Sequence, residues 1–441
     1  MTTIYLKSSF DEPSDSVKEA AARGEVTIVA QAELTADILR THKGLVTDNQ
    51  LDQNAMLAMK DAIAAFLDAG GRWFFNGHFV RSLVDGVAQY RPIADPKRAD
   101  FDLFPINPHP LLEGIDLKML ETNKGVAGFY GRGCNPLPKG AVAINGLGAA
   151  NVPVDWVWAR PKGGRIFSHA GNDLGSMGLE WKLAPELTRR IIAWTNGGAC
   201  FNPWPVAPAS PADDLPLRPL ESYGGMRMSS RTGRRIVAPS SGTYYNIRSL
   251  EGPRYTEIFD VICAPEQLAD ILRPDDVLWV PCRTPANRLI AQKTTILRHL
   301  QSGGTVVALG ESRSDLWLPA IKFTGTPTNW WWWLDPSADL GVKVTDAAAE
   351  HPLMRDIGDK VATWHLHGWF VPPEGATVLA CDGEGRAILY ISHKLEEVKR
   401  LCDTATISSL DPMFHHGSHF MPATTRFLDR FVPNLKAYLN V

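Results

Sequence analysis

Short apolar runs alternate with stretches of helical periodicity, and the alternation happens twice along the chain. In the first half the runs are Thr27-Ile28-Val29-Ala30, Gly44-Leu45-Val46-Thr47 and Trp73-Phe74-Phe75. In the second they are Arg235-Ile236-Val237-Ala238, Asp260-Val261-Ile262-Cys263, Val277-Leu278-Trp279-Val280 and Thr305-Val306-Val307-Ala308-Leu309. Strands that are apolar throughout, with helices between them, predict mostly parallel central sheets flanked by helices, because a strand buried on both faces has no polar side to show. Such sheets bind ligands beyond the carboxyl ends of their strands, which directs attention to the loops after Val46, Phe75, Val280 and Leu309. Later in the first half, Val154 to Arg160, the turn Pro161-Lys162-Gly163-Gly164, and Arg165 to Ser168 read as an antiparallel hairpin.

The two halves also share words. Ala36-Asp37-Ile38-Leu39-Arg40 recurs as Ala269-Asp270-Ile271-Leu272-Arg273. At the same spacing, Gly70-Gly71 falls on Gly303-Gly304, each pair ending a helical pattern and preceding an apolar strand. His109-Pro110-Leu111 matches His351-Pro352-Leu353, and Gly164-Arg165-Ile166 faces Gly385-Arg386-Ala387. Helical patterns at Glu186 to Trp194 and Thr424 to Tyr438 close the halves. Matches in one order at slowly drifting spacing predict a tandem duplication. Between the copies stand Pro203, Pro205, Pro208, Pro211, Pro216 and Pro219, and prolines this dense exclude helix and central strand. The expected organisation is a domain over 1–202, a proline-rich linker over 203–233, and a second domain over 234–441.

Composition narrows the classes of function. The chain has 441 residues, 44% hydrophobic and 21% charged, with a net charge of −3, all ordinary for globular domains. No Lys/Arg-rich run supplies the basic footprint of nucleic-acid binding, and no apolar stretch is long enough to span a membrane. The start of the chain lacks the apolar core of a signal peptide, and the six cysteines form no C-x-x-C pair, so reduced thiols and a cytoplasmic location are expected.

The stretch Trp156-Val157-Trp158-Ala159-Arg160-Pro161-Lys162-Gly163-Gly164-Arg165-Ile166-Phe167-Ser168-His169-Ala170-Gly171-Asn172-Asp173 resembles the closing segment of ThuA-type (trehalose-utilisation) proteins, members of the class I glutamine amidotransferase-like superfamily. The helix, Gly-Gly, strand and sharp-turn order at 55–80 and 288–314 is similar to that superfamily's nucleophile region. The resemblance implies two flavodoxin-like domains in tandem. Active members present a cysteine on the turn after that strand, assisted by a histidine and a glutamate. Here the turns read Asn76-Gly77-His78-Phe79 and Gly310-Glu311-Ser312-Arg313, without cysteine. Loss of a nucleophile costs about a millionfold in turnover, so glutamine hydrolysis is not expected and the chain reads as a pseudoenzyme of that class.

Candidate site residues follow from these turns. His78 and Asn76 occupy the first, while His169, Asn172 and Asp173 stand after the hairpin where the family's histidine lies. If the loops converge, these side chains would bind a polyol or carbonyl compound or serve as acid and base; the bland alternative is turn closure and a helix cap at Asn172 or Asp173. In the second half Ser312 takes the nucleophile's position beside Glu311, against a plain cap. His365 and His367, two apart, with His415, His416 and His419 after them, make a histidine-rich group to which zinc or iron is the candidate ion, against a polar pocket mouth. Trp330 to Trp333 cannot all be core; Trp331 among them would stack on sugar rings or make contacts in a homo-oligomer.

Three readings result. The first is a non-glutaminase, ThuA-like protein binding a small polar metabolite, such as a sugar derivative, at the turns after the central strands. The second is a hydrolase using Ser312 or a histidine-held metal. The third is a catalytically inactive pair of domains serving assembly.

Overall fold

The computed structural model describes residues 2–10, 12–123, 126–175, 182–199, 211–253, 257–325, 341–359, 368–392, 404–408 and 421–439. The chain divides into two compact units: Met1–Leu220 with Gly242–Tyr244, and Glu221–Ser241 with Tyr245 onward. Each is α/β, with a mostly parallel sheet in its first part and helices against it.

In the first unit the sheet is built from β1 (Thr3–Lys7), β2 (Val26–Ala30), β3 (Gly44–Thr47), β4 (Arg72–Asn76), β5 (Leu103–Pro105), β6 (Val142–Leu147), β7 (Val152–Ala159) and β8 (Arg165–His169). They stand side by side in the order β2-β1-β3-β4-β8-β7-β6-β5. Pairing is parallel from β2 through β8 and antiparallel from β8 to β5. β1 was not foreseen from the sequence. It takes the place between β2 and β3, and its residues Thr3 to Leu6 are buried.

In the second unit β9 (Ile236–Pro239), β10 (Val261–Cys263), β11 (Val277–Val280), β12 (Thr305–Leu309), β13 (Lys322–Gly325), β14 (Gly368–Val371), β15 (Thr377–Cys381), β16 (Ala387–Ser392) and β17 (Thr404–Ser408) form the sheet. Among the described residues the order is β10-β9-β11-β12-β17-β16-β14-β13, with β15 paired to β16 and to the two-residue strand Lys343–Val344. The opening four strands, the fifth that returns beside β4 or β12, and the antiparallel extension therefore repeat from one unit to the other.

The repeated Gly-Gly has a physical cause that both units share. Helix α1 (Lys60–Asp68) ends with Gly70 N–H on the Leu67 carbonyl and Gly71 N–H on that of Phe66, with Gly70 at φ +96°. Helix α2 (Lys293–Gln301) ends with Gly303 on Leu300 and Gly304 on His299, with Gly303 at φ +88°. This is the left-handed C-terminal cap that glycine serves best. The second glycine has no room for a side chain, since a β-carbon would collide with Phe66 in one unit and the His299 imidazole in the other. The chain then enters β4 or β12 at once, which sets the height of the turn that follows.

Apolar packing fixes that turn in the first unit. Trp73, Phe75 and Phe79 are at most 1% exposed, Phe79 stacks on Phe75 at a centroid separation of 3.6 Å, and Trp73 meets both edge-on. Truncating one such ring costs about 3–5 kcal/mol. The proline-rich segment is partly built into the units rather than free. Arg218 N–H donates to the Pro92 carbonyl at 2.9 Å and Ala94 N–H to that of Pro216 at 2.8 Å, within the first unit, while Arg227 and Ile262 exchange backbone bonds within the second. Among the described residues no helix is long and apolar enough to cross a membrane.

Candidate functional site

Four strands of the first unit carry a row of polar residues at one level. Register pairs Asn145 of β6 with Asp155 of β7, Asp155 with His169 of β8, and His169 with Asn76 of β4. Directly paired residues point to the same face, so the hairpin itself places the Asp155 carboxylate beside the His169 ring. A β-bulge on either side of Asn145 keeps that residue in line with the row.

The row is dry. Asp155 and His169 are 0% exposed, as is Tyr130, and Asn145 is 2% exposed. His169 Nδ1 lies 2.7 Å from Asp155 Oδ1. Asp155 Oδ2 accepts from the Tyr130 hydroxyl at 2.6 Å and from Asn145 Nδ2 at 2.7 Å. The Tyr130 ring meets the imidazole edge-on at 4.6 Å. Burial and the neighbouring Asp155 charge hold the Tyr130 hydroxyl's pKa well above its ordinary value, so it remains a donor. The other imidazole nitrogen, Nε2, is buried and has no hydrogen-bond partner among the described residues. It faces the backbone of Gly171, where a β-carbon would collide with the Tyr130 carbonyl and stand 2.7 Å from Nε2. A buried polar atom without a partner costs about 1–3 kcal/mol, and such exceptions concentrate at functional sites.

The other first-unit candidates hold the frame of this corner. Asn76 Nδ2 donates to the Thr47 carbonyl at 2.9 Å, and its Oδ1 accepts from Leu174 N–H at 3.2 Å. Asn172 Nδ2 donates to the Phe129 carbonyl at 2.7 Å, and Asp173 Oδ1 accepts from Gly175 N–H at 2.8 Å, closing a tight turn. His78 is buried with its ring edge-on to Tyr90 at 4.0 Å. Its turn is pinned by two amides: Gln53 Oε1 accepts from Val80 N–H and Asn135 Oδ1 from Phe79 N–H, while Gln53 Nε2 donates to the His78 carbonyl. Sequence reasoning missed Asp155, Tyr130 and Asn145. Asp155 had a readable signal: it is the one charged residue inside the apolar run Val152 to Ala159.

In the second unit the turn after β12 holds Ser312, 1% exposed, whose hydroxyl has no hydrogen-bond partner among the described residues and whose carbonyl accepts from Trp317 Nε1 at 2.8 Å. Glu311 pairs with Arg283 at 3.1 Å, and its N–H donates to Cys282 Sγ at 3.3 Å. Arg313 sits at φ +49° and pairs with Asp315. The thiols of Cys134 and Cys263 are pushed up to about 12 by burial, which leaves them without thiolate character near neutral pH. Trp331, His365, His367, His415, His416 and His419 lie outside the described residues, and among the described residues no cluster of three or more His, Cys, Asp or Glu is arranged to hold a metal.

No family model matches the chain, and no curated protein matches it. Among solved structures it is similar to a cytoplasmic protein from Salmonella typhimurium at 10% identity and a TM-score of 0.30, over 44% of this chain and 99% of that one.

Proposed function

We propose that the first unit binds a small polar metabolite, such as a sugar derivative, at the carboxyl ends of β4 and β8. In this reading the chain is a cytoplasmic, non-glutaminase, ThuA-like protein of the glutamine amidotransferase-like superfamily, made of two flavodoxin-like domains in tandem. The observation that carries the ligand site is the His169 imidazole, clamped by Asp155 through one nitrogen and left with a buried, unpartnered second nitrogen at the end of a parallel sheet. The shared strand order supports the tandem reading, and the absence of cysteine from both turns supports the loss of glutaminase chemistry.

Thermal unfolding and calorimetry of the full chain with millimolar glycerol, glucose and trehalose test the assignment. A ligand present at about a hundred times its Kd raises stability by about 2.7 kcal/mol. His169→Ala abolishes that gain, whereas Ser312→Ala in the second unit keeps it. Binding that survives in the His169 variant removes the assignment, as does the absence of any response in the wild type. The buried Ser312 hydroxyl favours a second reading, hydrolysis in the second unit. Covalent labelling of the wild type by a fluorophosphonate, lost in Ser312→Ala, would select it.

A further inference from the structure

The hydrogen bonds around Asp155 narrow the chemistry of the ligand. Its carboxylate receives three donors: the Tyr130 hydroxyl and the Asn145 amide on Oδ2, and imidazole Nδ1 on Oδ1. An ionised carboxylate only accepts, so Nδ1 carries the proton in this contact. Three donors satisfy the carboxylate without a second full charge beside it. A protonated Nε2 would add a buried N–H with nothing to receive it, at a further desolvation cost. With Nδ1 committed to Asp155, Nε2 is the ring atom left to accept a hydrogen bond, beside the backbone of Gly171. A lone pair backed by the Asp155 charge attracts an O–H group and repels a carboxylate or phosphate oxygen.

We propose that His169 Nε2 recognises a hydroxyl group of a neutral ligand as its hydrogen-bond acceptor, and that Tyr130 is a positioning residue that fixes the imidazole tautomer through Asp155. This rests on the first unit being a ligand site.

Long-range proton–nitrogen NMR on full-length protein with nitrogen-15 histidine reads the tautomer directly, and His169→Gln assigns the resonances. The expected state is one tautomer, with Nδ1 protonated and Nε2 pyridine-like. Glycerol moves the Nε2 resonance, while sodium acetate at equal concentration leaves it in place. Tyr130→Phe gives a mixture of tautomers and weakens glycerol binding roughly tenfold, the loss expected for one hydrogen bond to a charged group. A purely structural tyrosine would lower stability and leave the tautomer unchanged, which overturns its positioning role. A protonated Nε2, or a resonance that responds to acetate and not glycerol, overturns the hydroxyl proposal while the ligand site stands. A pyridine-like Nε2 that responds to neither compound overturns both the proposal and the ligand site beneath it.

Discussion

The row that reads Asn, Asp, His, Asn in the first unit reads Ala, Leu, Ser, Leu in the second. Along β15, β16, β17 and β12 the register pairs Ala380 with Leu389, Leu389 with Ser408, and Ser408 with Leu309. Set against Asn145, Asp155, His169 and Asn76, each residue keeps its strand and its neighbour and changes its chemistry. The bulge is kept as well: pairing shifts on both sides of Ala380 as it does on both sides of Asn145. In one sheet the bulge aligns an amide with a carboxylate; in the other, with Ala380 and Leu389 both buried, it aligns a methyl group with a leucine. The bulge therefore belongs to the frame, and the amide–carboxylate bond of Asn145 and Asp155 is a separate feature, whose place Ala380 and Leu389 take in the other unit.

The comparison breaks first at Asp155. Asp155→Ala strands three buried donors, on Tyr130, Asn145 and His169, and removal of one partner from a buried charged network costs about 3–5 kcal/mol. Replacing the row by apolar side chains, with Asn145→Ala, Asp155→Leu and His169→Leu together with Tyr130→Phe to remove the last donor, returns stability to within about 2 kcal/mol of wild type, because apolar replacement of the whole set leaves none of its donors unsatisfied. Ligand response is lost in both variants. Urea unfolding monitored by tryptophan fluorescence measures the difference. If the fourfold variant is as unstable as Asp155→Ala, the row is structural and the contrast between the units says nothing about function.

Acid sharpens the contrast through a second matched pair. His109 and His351 open the same His-Pro-Leu turn, each ring nitrogen Nδ1 accepting from the backbone N–H two residues on, at 3.2 Å and 3.3 Å. His109 is 2% exposed, and burial lowers its pKa to about 3. Unfolding restores its ordinary value near 6.5, so between about pH 3 and 6.5 the unfolded chain binds a proton that the folded chain refuses. Stability contributed by neutral His109 is thus complete above about pH 6.5 and falls as pH drops, at up to about 1.4 kcal/mol per pH unit. His109→Asn keeps an acceptor for the turn and removes this slope from urea midpoints measured across that interval. A slope that persists unchanged in His109→Asn would show that the buried imidazole is not its source.

What the sequence disclosed and what it hid follow from the range of the forces involved. Strands such as Gly44–Thr47, Val277–Val280 and Thr305–Leu309 were legible to the residue, since an apolar run bounded by turn signals is local information. The arms of the hairpin and its glycine turn were legible for the same reason. β1 was not, because its apolar content is only the three residues Ile4 to Leu6 between Thr3 and Lys7, and it takes its place in the sheet from β2 and β3 on either side. At the site, His169 could be read from its position after the hairpin. Its partner was not read, although the regular antiparallel register of the hairpin is what sets Asp155 beside His169; the bulge governs only the alignment of Asn145. Tyr130 comes from a loop whose approach is set by packing. Asn76, Asn172 and Asp173 lie near the ends of β4 and β8, and their hydrogen bonds turn inward to backbone.

The smallest expected effect tests the frame itself. Gly70 and Gly303 both lie in the left-handed region with open space around the missing side chain, so alanine at either meets backbone strain and no collision. The cost for a non-glycine residue there is about 1–2 kcal/mol, and matched geometry requires the two variants to agree to within a few tenths of that. Gly71→Ala and Gly304→Ala must cost more, because the new methyl group meets Phe66 in one unit and His299 in the other. The ring of Phe66 is buried among apolar neighbours, whereas His299 also has a bond to the Thr305 carbonyl at 3.3 Å to lose, so the second unit should yield more stability at this position. Chemical unfolding of the four variants, read with a probe in each unit, decides it. Unequal costs at Gly70 and Gly303 would mean that the shared Gly-Gly closes two different corners, and the correspondence of Asp155 with Leu389 would lose the frame on which it is drawn.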